Sequence, residues 1–447
     1  MFRRVLVANR GEIAVRVIRA LHELGIEAVA IYSTADSDSL HIRVADHAVR
    51  VGPPAATESY LSIPSVVAAG VTTGCQAVHP GYGFLAENPA FVTACAENDL
   101  IFVGPPADVM ATMGDKIAAK QAMRAAEVPT VPGTEGSTSI SAARSAADEI
   151  GYPILLKASA GGGGKGMRLV HAADDLEDAF GTAASEAAAA FGDSTLYVEK
   201  ALVPARHVEI QVLCDEHGNV LTLGERECSI QRRHQKLIEE SPSAALTHER
   251  RAEMEAAAER ACRAVGYRNA GTFEFLLAAD GSFYFIELNA RLQVEHPVTE
   301  LVTGVDLVRE QLRIAAGEQL TATGRAAREG HAIEIRLNAE DAEADFRPAP
   351  GLVKSFRPPL GPGVRVDTFV ESGSTISPYY DSMIAKLVVW DVDRPSAIAR
   401  AERSLRETSV EGIPTTREIA LEVLASEAFR SGEYTTSTLE ALRSVPA

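Results

Sequence analysis

The chain has 447 residues, of which 46% are hydrophobic and 23% are charged. This is the composition of a globular protein, and the length predicts about two to four packed domains. The 61 acidic side chains outnumber the 43 basic ones and give a formal net charge of -18, which disfavours non-specific nucleic-acid binding because that depends on Lys and Arg. Scattered cysteines form no disulfide or zinc pattern and no apolar run is long enough to span a membrane, so we expect a cytoplasmic protein.

The first predicted elements are a strand, a helix and a second strand, which together open an α/β domain. Short apolar runs cover 5–8 and 28–32, and the apolar residues between them recur at helical spacing from Ile13 to Leu21. The turn NRGEIA lacks the GxGxxG pattern, so it gives no support for dinucleotide binding. The Gly- and Pro-rich stretch AVHPGYGFL is typical of a loop that lines a cleft.

A compact module is predicted behind a turn-rich segment. A helix is expected at 116–126, and the turn-rich residues 127–139 indicate a boundary or hinge. Strands and an Ala-rich helix follow at 154–157, 168–171, 174–190 and 195–199. Beyond this module we expect a long helix at 249–265 and a β-rich region from 330 to 390.

The glycine loop of this module, KASAGGGGKGM at 157–167, favours phosphate binding. Residues without a Cβ atom allow successive backbone N–H groups to turn toward one anion, and Lys157 and Lys165 add positive charge. A flexible linker is the alternative, but linkers are usually longer and richer in Ser, whereas this loop joins two predicted strands. The loop does not match GxxxxGK[ST], so a P-loop fold is not expected.

A predicted β-hairpin places two carboxylates face to face. Its strands, 272–277 and 282–288, are separated by an Asp-Gly turn, and a turn centred there sets Glu274 opposite Glu287. Facing carboxylates repel each other unless a cation or a proton lies between them. Asn289 falls on the same face, and two carboxylates with an amide oxygen are ligands that suit Mg²⁺. The alternative is that one glutamate is simply solvated on an outer face.

The segment after the hairpin carries a cation, an amide and a carboxylate at alternate positions, Arg291, Gln293 and Glu295. On one edge of a strand, such a set could hold a small anion and remove a proton from it. Taken alone, the segment is equally typical of a salt-bridged surface loop. Arg336 also alternates with apolar residues on a predicted strand, and most arginines placed in this way contact only water.

A basic cluster at 231–236, QRRHQK, is the last local signal. A solvated loop is the default interpretation, although a local basic cluster on an acidic chain suits a triphosphate. Lys116, at a helix start, and His207 are similarly weak signals on their own.

Taken together, the motifs resemble the biotin carboxylases. The matching blocks run in the family's order from Phe2 to beyond Lys386: VANRGEIAVRVIRA, HPGYGFLAEN, MGDK, KASAGGGGKGM, RHVEIQVL, ERECSIQRRHQK, GTFEFL, FIELNARLQVEHPVTE, AIEIRLNAED and PYYDSMIAKL. The resemblance implies an α/β (α+β) fold of the ATP-grasp type, with a Rossmann-like N-terminal α/β domain, a mobile lid and a β-rich C-terminal region. These parts would occupy 1–114, 115–330 with the lid at about 130–203, and 331–447.

The resemblance also implies roles residue by residue. The residues that would bind ATP are Lys116, Lys157, Gly163, Gly164, Gly166, Met167, Glu199, Lys200, Leu202, His207, Gln231, His234, Lys236, Leu276, Glu274 and Glu287. Mg²⁺ or Mn²⁺ would be held by Glu274, Glu287 and Asn289, the set that the hairpin also predicts. Bicarbonate would be held by Arg291, Gln293, the Val294 backbone and Glu295. The catalytic groups would be Glu295 as base, Arg336 beside the biotin enolate, Arg291 and Lys236.

The implied reaction is MgATP-dependent carboxylation of biotin by bicarbonate through carboxyphosphate, the first half-reaction of an acyl-CoA carboxylase. No lysine sits between methionines in the setting that accepts biotin, so a biotin carboxyl carrier protein and a carboxyltransferase are expected as partners. The family also implies a homodimer, with Arg19, Glu23 and Arg365 as candidate contacts.

Three alternatives remain beside this interpretation. They are another ATP-grasp ligase that joins a carboxylate to an amine, a pyruvate carboxylase-type subunit, and a nucleotide-binding regulatory subunit without turnover. The block RLQVEHPVTE with Arg336 distinguishes a biotin carboxylase from the first, and the presence of Lys236, Glu295 and Arg336 argues against the last.

Overall fold

The structure is a computed structural model, which describes residues 1–134, 139–158 and 167–444. The N-terminal strands are β1 (Arg4–Val7), β2 (Glu27–Ser33), β3 (His47–Gly52), β4 (Ala77–His79) and β5 (Ile101–Phe102). The helices are α1 (Gly11–Glu23), α2 (Leu40–Val44), α3 (Ile63–Thr72), α4 (Pro89–Glu97) and α5 (Ala107–Gly114). The strands form a parallel sheet in the order β3-β2-β1-β4-β5. The predicted strand, helix and strand are confirmed as β1, α1 and β2, because their apolar side chains share one core.

A small module follows helix α6 (Lys116–Ala125). Its elements are α7 (Ile140–Ile150), β6 (Ile154–Ala158), β7 (Met167–Val170), α8 (Leu176–Phe191) and β8 (Leu196–Lys200). The strands form an antiparallel sheet, β7-β6-β8, and the module has its own core, which includes Ala143, Ile154 and Val198. A separate core allows such a module to move as a unit. The predicted phosphate contacts of Gly163, Gly164 and Gly166 lie outside the described residues.

The central part of the chain alternates long strands with helices. These elements are β9 (Ala205–Cys214), β10 (Val220–Arg232), β11 (Gln235–Ser241), α9 (His248–Val265), β12 (Asn269–Ala278), β13 (Phe283–Asn289), α10 (His296–Thr303) and α11 (Leu307–Ala315). The predicted long helix is α9, which ends at Gly266 in the left-handed conformation that favours glycine.

The C-terminal part is rich in short strands, as predicted. Its strands are β14 (Gly324–Arg325), β15 (His331–Asn338), β16 (Glu340–Asp341), β17 (Arg347–Pro348), β18 (Gly351–Leu352), β19 (Ser355–Arg357), β20 (Val364–Thr368), β21 (Thr375–Ile376), β22 (Met383–Asp391) and β23 (Ser409–Glu411). Its helices are α12 (Arg394–Glu407), α13 (Arg417–Ala425), α14 (Glu427–Ser431) and α15 (Thr438–Ser444).

One sheet connects the central and C-terminal parts. Its strands pair in the order β13-β12-β9-β10-β11-β15-β22-β20, antiparallel throughout, and β14 adds to β10 in parallel. Since β11 pairs with β15, side chains from residues on both sides of position 330 reach one face of the same sheet. Among the helices of the described ranges, none is long and apolar enough to cross a membrane.

Candidate active site

A cavity of about 1440 Å³ is lined by residues of the N-terminal part, the small module and the large sheet. The predicted site residues that line it are Lys116, Lys157, Met167, Glu199, Leu202, His207, Gln231, His234, Lys236, Glu274, Leu276, Glu287, Asn289, Arg291, Gln293, Val294, Glu295 and Arg336. The fold therefore brings together residues that are spread over nearly half of the chain.

Lys200 is the exception among the described candidates. Its ammonium group donates hydrogen bonds to the carbonyl oxygens of Gly151 at 2.9 Å and Tyr152 at 3.1 Å, and it does not line the cavity. Successive side chains of a strand point to opposite faces, and Glu199 is the neighbour that faces the cavity. The side chain of Lys200 therefore binds the module's own backbone.

Glu274 and Glu287 are opposite each other in the register of strands β12 and β13, as predicted. The turn differs from the prediction, because the N–H of Ala278 donates to the carbonyl oxygen of Ser282 at 2.8 Å and the loop is centred on Asp280 rather than between Asp280 and Gly281. This loop alone would set Glu274 opposite Ile286. A β-bulge at Ile286 restores the predicted pairing, as bulges near functional sites often do.

Electrostatics at this pair favour a bound cation. Two effects raise the pKa of Glu287 above its ordinary value: the larger is burial, and the second is the negative charge of Glu274. Burial also pushes the pKa of Glu274 upward, but Lys236 and His207, whose Nε2 lies 2.8 Å from Glu274, outweigh it and lower that pKa. Glu287 therefore faces a like charge, and a divalent cation between the two would relieve the repulsion.

Asn289 supplies the third oxygen of the predicted metal set. Its Nδ2 donates to Glu274 at 2.8 Å, and its Oδ1 accepts from Arg291 at 2.9 Å. The amide oxygen therefore points away from Glu274, yet it retains a second lone pair. Two carboxylates and this oxygen form a donor set that fits Mg²⁺ or Mn²⁺.

Lys236 lies at the centre of a group of carboxylates. Its Nζ contacts Glu209 at 2.6 Å, Glu274 at 3.1 Å and Glu295 at 2.5 Å. Glu209 is fully buried and also accepts from Arg226 at 2.5 Å. The sequence reasoning missed Glu209, although it lies two positions after His207 on β9 and therefore shares its face.

Arg336 does not face bulk water, which corrects the default expectation for it. Its Nη2 donates to Glu295 at 2.9 Å and its Nε donates to Glu239 at 2.7 Å. Burial pushes the pKa of Glu295 upward, but Lys236 and then Arg336 outweigh it and hold that pKa well below its ordinary range. Glu239, which the sequence reasoning also missed, is fully buried, and this burial raises its pKa to about 7 although Arg336 opposes the effect.

Arg291, Gln293 and Glu295 do not lie along one edge of a strand, which corrects the expectation from their alternate spacing. Strand β13 ends at Asn289, and the following segment is a loop that leads into α10. The guanidinium group of Arg291 bends back to Gln293 Oε1 at 2.8 Å, and its Nε donates to Glu87 at 2.8 Å. The three side chains meet at the cavity because the loop folds around it.

Lysines of α6 and β6 also line the cavity. Lys157 lies 2.5 Å from Glu199, and Lys120 also pairs with Glu199. Burial lowers the pKa of Lys116 even though Glu287 opposes this effect. His234 has a positive φ of 67° and a pKa that burial, followed by Lys157, lowers. Lys116, Lys120 and Lys157 thus form a basic stretch of the cavity wall.

The three residues predicted to contact a second subunit lie in different environments. Arg19 is exposed on α1, while Glu23 pairs with Arg309 of the same chain. Arg365 contacts Glu300 at 2.6 Å and Asp367 at 2.7 Å within the chain. Only Arg19 of the three is therefore without an ion-pair partner in the described structure.

Comparisons with known proteins agree with this fold. Residues 1–110 match the family "Biotin carboxylase, N-terminal domain", and residues 334–441 match "Biotin carboxylase C-terminal domain". Residues 115–323 match "Carbamoyl-phosphate synthase L chain, ATP binding domain". Together with the cavity, these matches define an ATP-dependent ligase of the ATP-grasp fold.

Individual relatives extend over nearly the whole chain. A biotin carboxylase of Nostoc sp. is 50% identical and covers 98% of this chain and 99% of its own. A pyruvate carboxylase subunit of Methanothermobacter thermautotrophicus is 51% identical over 99% of this chain and 90% of its own. The biotin carboxylase domain dimer of Hydrogenobacter thermophilus 2-oxoglutarate carboxylase, solved with MgADP, ADP and bicarbonate, has a TM-score of 0.94 at 45% identity and full coverage of both chains (100% each). The chain belongs to the biotin carboxylase family.

Proposed function

We propose that the chain carboxylates biotin with bicarbonate and MgATP, and that the biotin is attached to another protein. The position of Glu295 carries this proposal, because it accepts from Lys236 at 2.5 Å and from Arg336 at 2.9 Å. One carboxylate thus links the carboxylate pair of the hairpin to an arginine on the C-terminal strand β15. A ligase that joins a carboxylate to an amine has no use for an arginine aimed at a developing enolate, so this arrangement favours biotin carboxylation.

ATP would lie along the cavity with its phosphates toward Lys116 and Lys157. The apolar side chains of Met167, Leu202 and Leu276 line the same cavity and suit an adenine ring. We propose that Glu199, His207, Gln231 and His234 line the adenine, ribose and phosphate path, and that the backbone of the glycine loop closes over the phosphates.

Mg²⁺ or Mn²⁺ would be held by Glu274, Glu287 and Asn289, and would neutralise charge on the ATP phosphates. Lys236 would then exchange part of its contact with Glu274 for the transferred phosphoryl group. This exchange is feasible because Lys236 has two further carboxylate partners, Glu209 and Glu295, that keep its ammonium group in place.

The proposed reaction begins with bicarbonate held by Arg291, Gln293 and the N–H of Val294. Glu295 accepts the bicarbonate proton while a bicarbonate oxygen attacks the γ-phosphorus of ATP, which gives carboxyphosphate and ADP. Carboxyphosphate then breaks its C–O bond and gives CO₂ and phosphate. The phosphate removes the ureido N–H proton of biotin, and Arg336 stabilises the negative charge on the ureido oxygen while the nitrogen attacks CO₂.

The proposed partners follow from this chemistry. A biotin carboxyl carrier protein would bring biotin to the mouth of the cavity, and a carboxyltransferase would move the carboxyl group to an acyl-CoA. A pyruvate carboxylase-type assembly is the alternative, and the resemblance to a pyruvate carboxylase subunit supports it. A homodimer is proposed from the dimeric relative. A reducing compartment such as the cytoplasm suits the five free, buried cysteines.

We also propose functional units at 1–114, 115–330 and 331–447, with a lid at about 130–203. The separate core of the small module supports the lid, and the gap between the matched family regions at 324–333 supports the last boundary. The boundary at 330 would not interrupt the structure, because the large sheet continues across it.

Release of phosphate from ATP by the purified chain tests the proposal, with bicarbonate and free biotin each omitted in turn. We expect full turnover only when both are present, because carboxyphosphate needs bicarbonate and its productive breakdown needs biotin. Turnover that requires an amine and a carboxylate instead, without bicarbonate, would identify another ATP-grasp ligase.

A further inference from the structure

Lys386 is a fully buried lysine that the proposed reaction does not use. It lies on β22, and its Nζ donates to the carbonyl oxygen of Val294 at 2.8 Å. The same ammonium group lies 3.1 Å from Glu12 and 3.9 Å from Asp367. A buried cation is costly unless its hydrogen bonds are satisfied, so these contacts hold Lys386 in one position.

The contact of Lys386 with the carbonyl oxygen fixes the peptide group between Val294 and Glu295, one of the two that flank Val294. The other is fixed by His296, whose Nδ1 lies 2.8 Å from the carbonyl oxygen of Gln293. Burial, and then the charge of Lys386, lowers the pKa of His296, so the ring is neutral and its Nδ1–H donates. With both planes held, the direction of the Val294 N–H is set, and among the residues that the structure describes this N–H has no acceptor.

We infer that Lys386 is a positioning residue for bicarbonate. It holds the carbonyl group of Val294, on one side of the Val294 Cα, while His296 holds the preceding peptide, and together these contacts fix the backbone rotation at Val294 that aims its N–H at the anion. The inference rests on the proposed function, since it takes Val294 as part of the bicarbonate site. Val294 immediately precedes Glu295, so the same contact also sets where the chain places the proposed base. A donor that is held in advance loses no free energy to reorganisation when the anion binds.

Lys386 also connects this segment to the N-terminal residues that line the cavity. Glu12, its closest carboxylate, accepts a hydrogen bond from the hydroxyl of Tyr82, and Tyr82 lines the cavity. The ammonium group lies 6.0 Å from the centre of the Tyr82 ring. The chain Tyr82, Glu12, Lys386 and Val294 therefore couples an N-terminal loop to the bicarbonate segment through buried polar contacts.

The test compares Michaelis constants for bicarbonate and for ATP in Lys386→Met. Methionine keeps the approximate length of the side chain and removes its charge and its donors. We expect the KM for bicarbonate to rise by about ten- to a hundred-fold, the effect of losing a charge-assisted hydrogen bond, while the KM for ATP changes by less than about two-fold. Lys354→Met, at an exposed lysine outside the cavity, is the matched control and should leave both constants unchanged.

Glu12→Gln provides a second route if Lys386→Met does not fold. Glutamine keeps the shape of Glu12 and its capacity to accept from Lys386 but removes the charge that holds the ammonium group, so we expect a smaller rise, about three- to ten-fold, in the bicarbonate KM alone. Equal increases of both Michaelis constants, or no change in the bicarbonate constant, would overturn the positioning role. A wild-type chain whose ATP turnover ignores bicarbonate would instead refute the proposed function.

Discussion

Glu274 and Glu287 face each other across strands β12 and β13 because a β-bulge at Ile286 shifts the register of the hairpin by one residue. Without this bulge the side chain of Glu287 would leave the cavity face, since a slip of one residue moves a strand's side chains to the other face. The bulge therefore creates a like-charge pair that is unfavourable on its own and becomes favourable when a cation binds.

The first prediction concerns this pair. We expect Glu274→Gln and Glu287→Gln each to raise the Mg²⁺ concentration needed for half-maximal ATP turnover at least about ten-fold, because each removes a charged ligand oxygen. In the absence of metal, Glu287→Gln should increase the free energy of unfolding by up to about 1 kcal/mol, because it removes repulsion. Titrations with MgCl₂ and urea measure the two effects. Glu318→Gln, on the exposed surface, is the control, and an unchanged metal requirement in both hairpin variants would rule out the site.

The second prediction concerns Arg336. We expect Arg336→Lys and Arg336→Ala to retain near-normal affinity for ATP and Mg²⁺ while biotin-dependent phosphate release falls by about two to three orders of magnitude, the loss typical of one oxyanion donor. An ammonium group cannot reproduce the planar fork that reaches Glu239 and Glu295 together. Nucleotide binding and phosphate release are measured side by side, with Arg357→Lys on an exposed strand as control. A wild-type rate in Arg336→Lys would move the enolate-stabilising role to another group, first to Arg291.

The third prediction concerns His207 and the pH dependence of stability. Burial lowers the pKa of His207, but Glu274 outweighs this and raises it above 6.5. The histidine therefore contributes stability that is complete below pH 6.5 and is lost as the pH rises through the raised pKa. We expect His207→Gln to cost roughly 1.5–3 kcal/mol at pH 6 and less at pH 9, as measured by urea unfolding. His248→Gln, at an exposed site, should show no such trend, and a constant difference for His207→Gln would contradict the ion pair.

The fourth prediction concerns closure of the lid proposed at 130–203. Proteolytic cleavage at 133–139 or within the glycine loop at 157–167 should slow when nucleotide is added, because a closed lid shields these segments. Limited proteolysis with and without saturating MgADP measures the rates. Cleavage within the C-terminal helices serves as the internal reference. Equal rates with and without nucleotide would show that the module does not close.

Local sequence patterns predicted the elements that carry the site. The Asp-Gly turn with flanking apolar strands predicted the hairpin, and the pairing of Glu274 with Glu287 is confirmed. The predicted pairing is correct because two differences between the prediction and the structure cancel: the loop is shifted, and the bulge at Ile286 shifts the register back. Neither has a signal in the sequence, because a bulge depends on how the neighbouring strand β12 and the cavity wall pack against β13.

By itself, the sequence determined the order of strands and helices, the hairpin with its acidic pair and, through its motifs, the family. Only the tertiary structure decided which polar residues meet: it joined Arg336 to Glu295, enclosed Lys236 between Glu209 and two further carboxylates, and turned Lys200 away from the cavity. The physical reason is that hydropathy patterns record which face of an element is buried, but they do not record which distant strand lies beside it. Contacts between charged groups far apart in the chain follow from sheet order and loop path, and those arise from packing of the whole molecule.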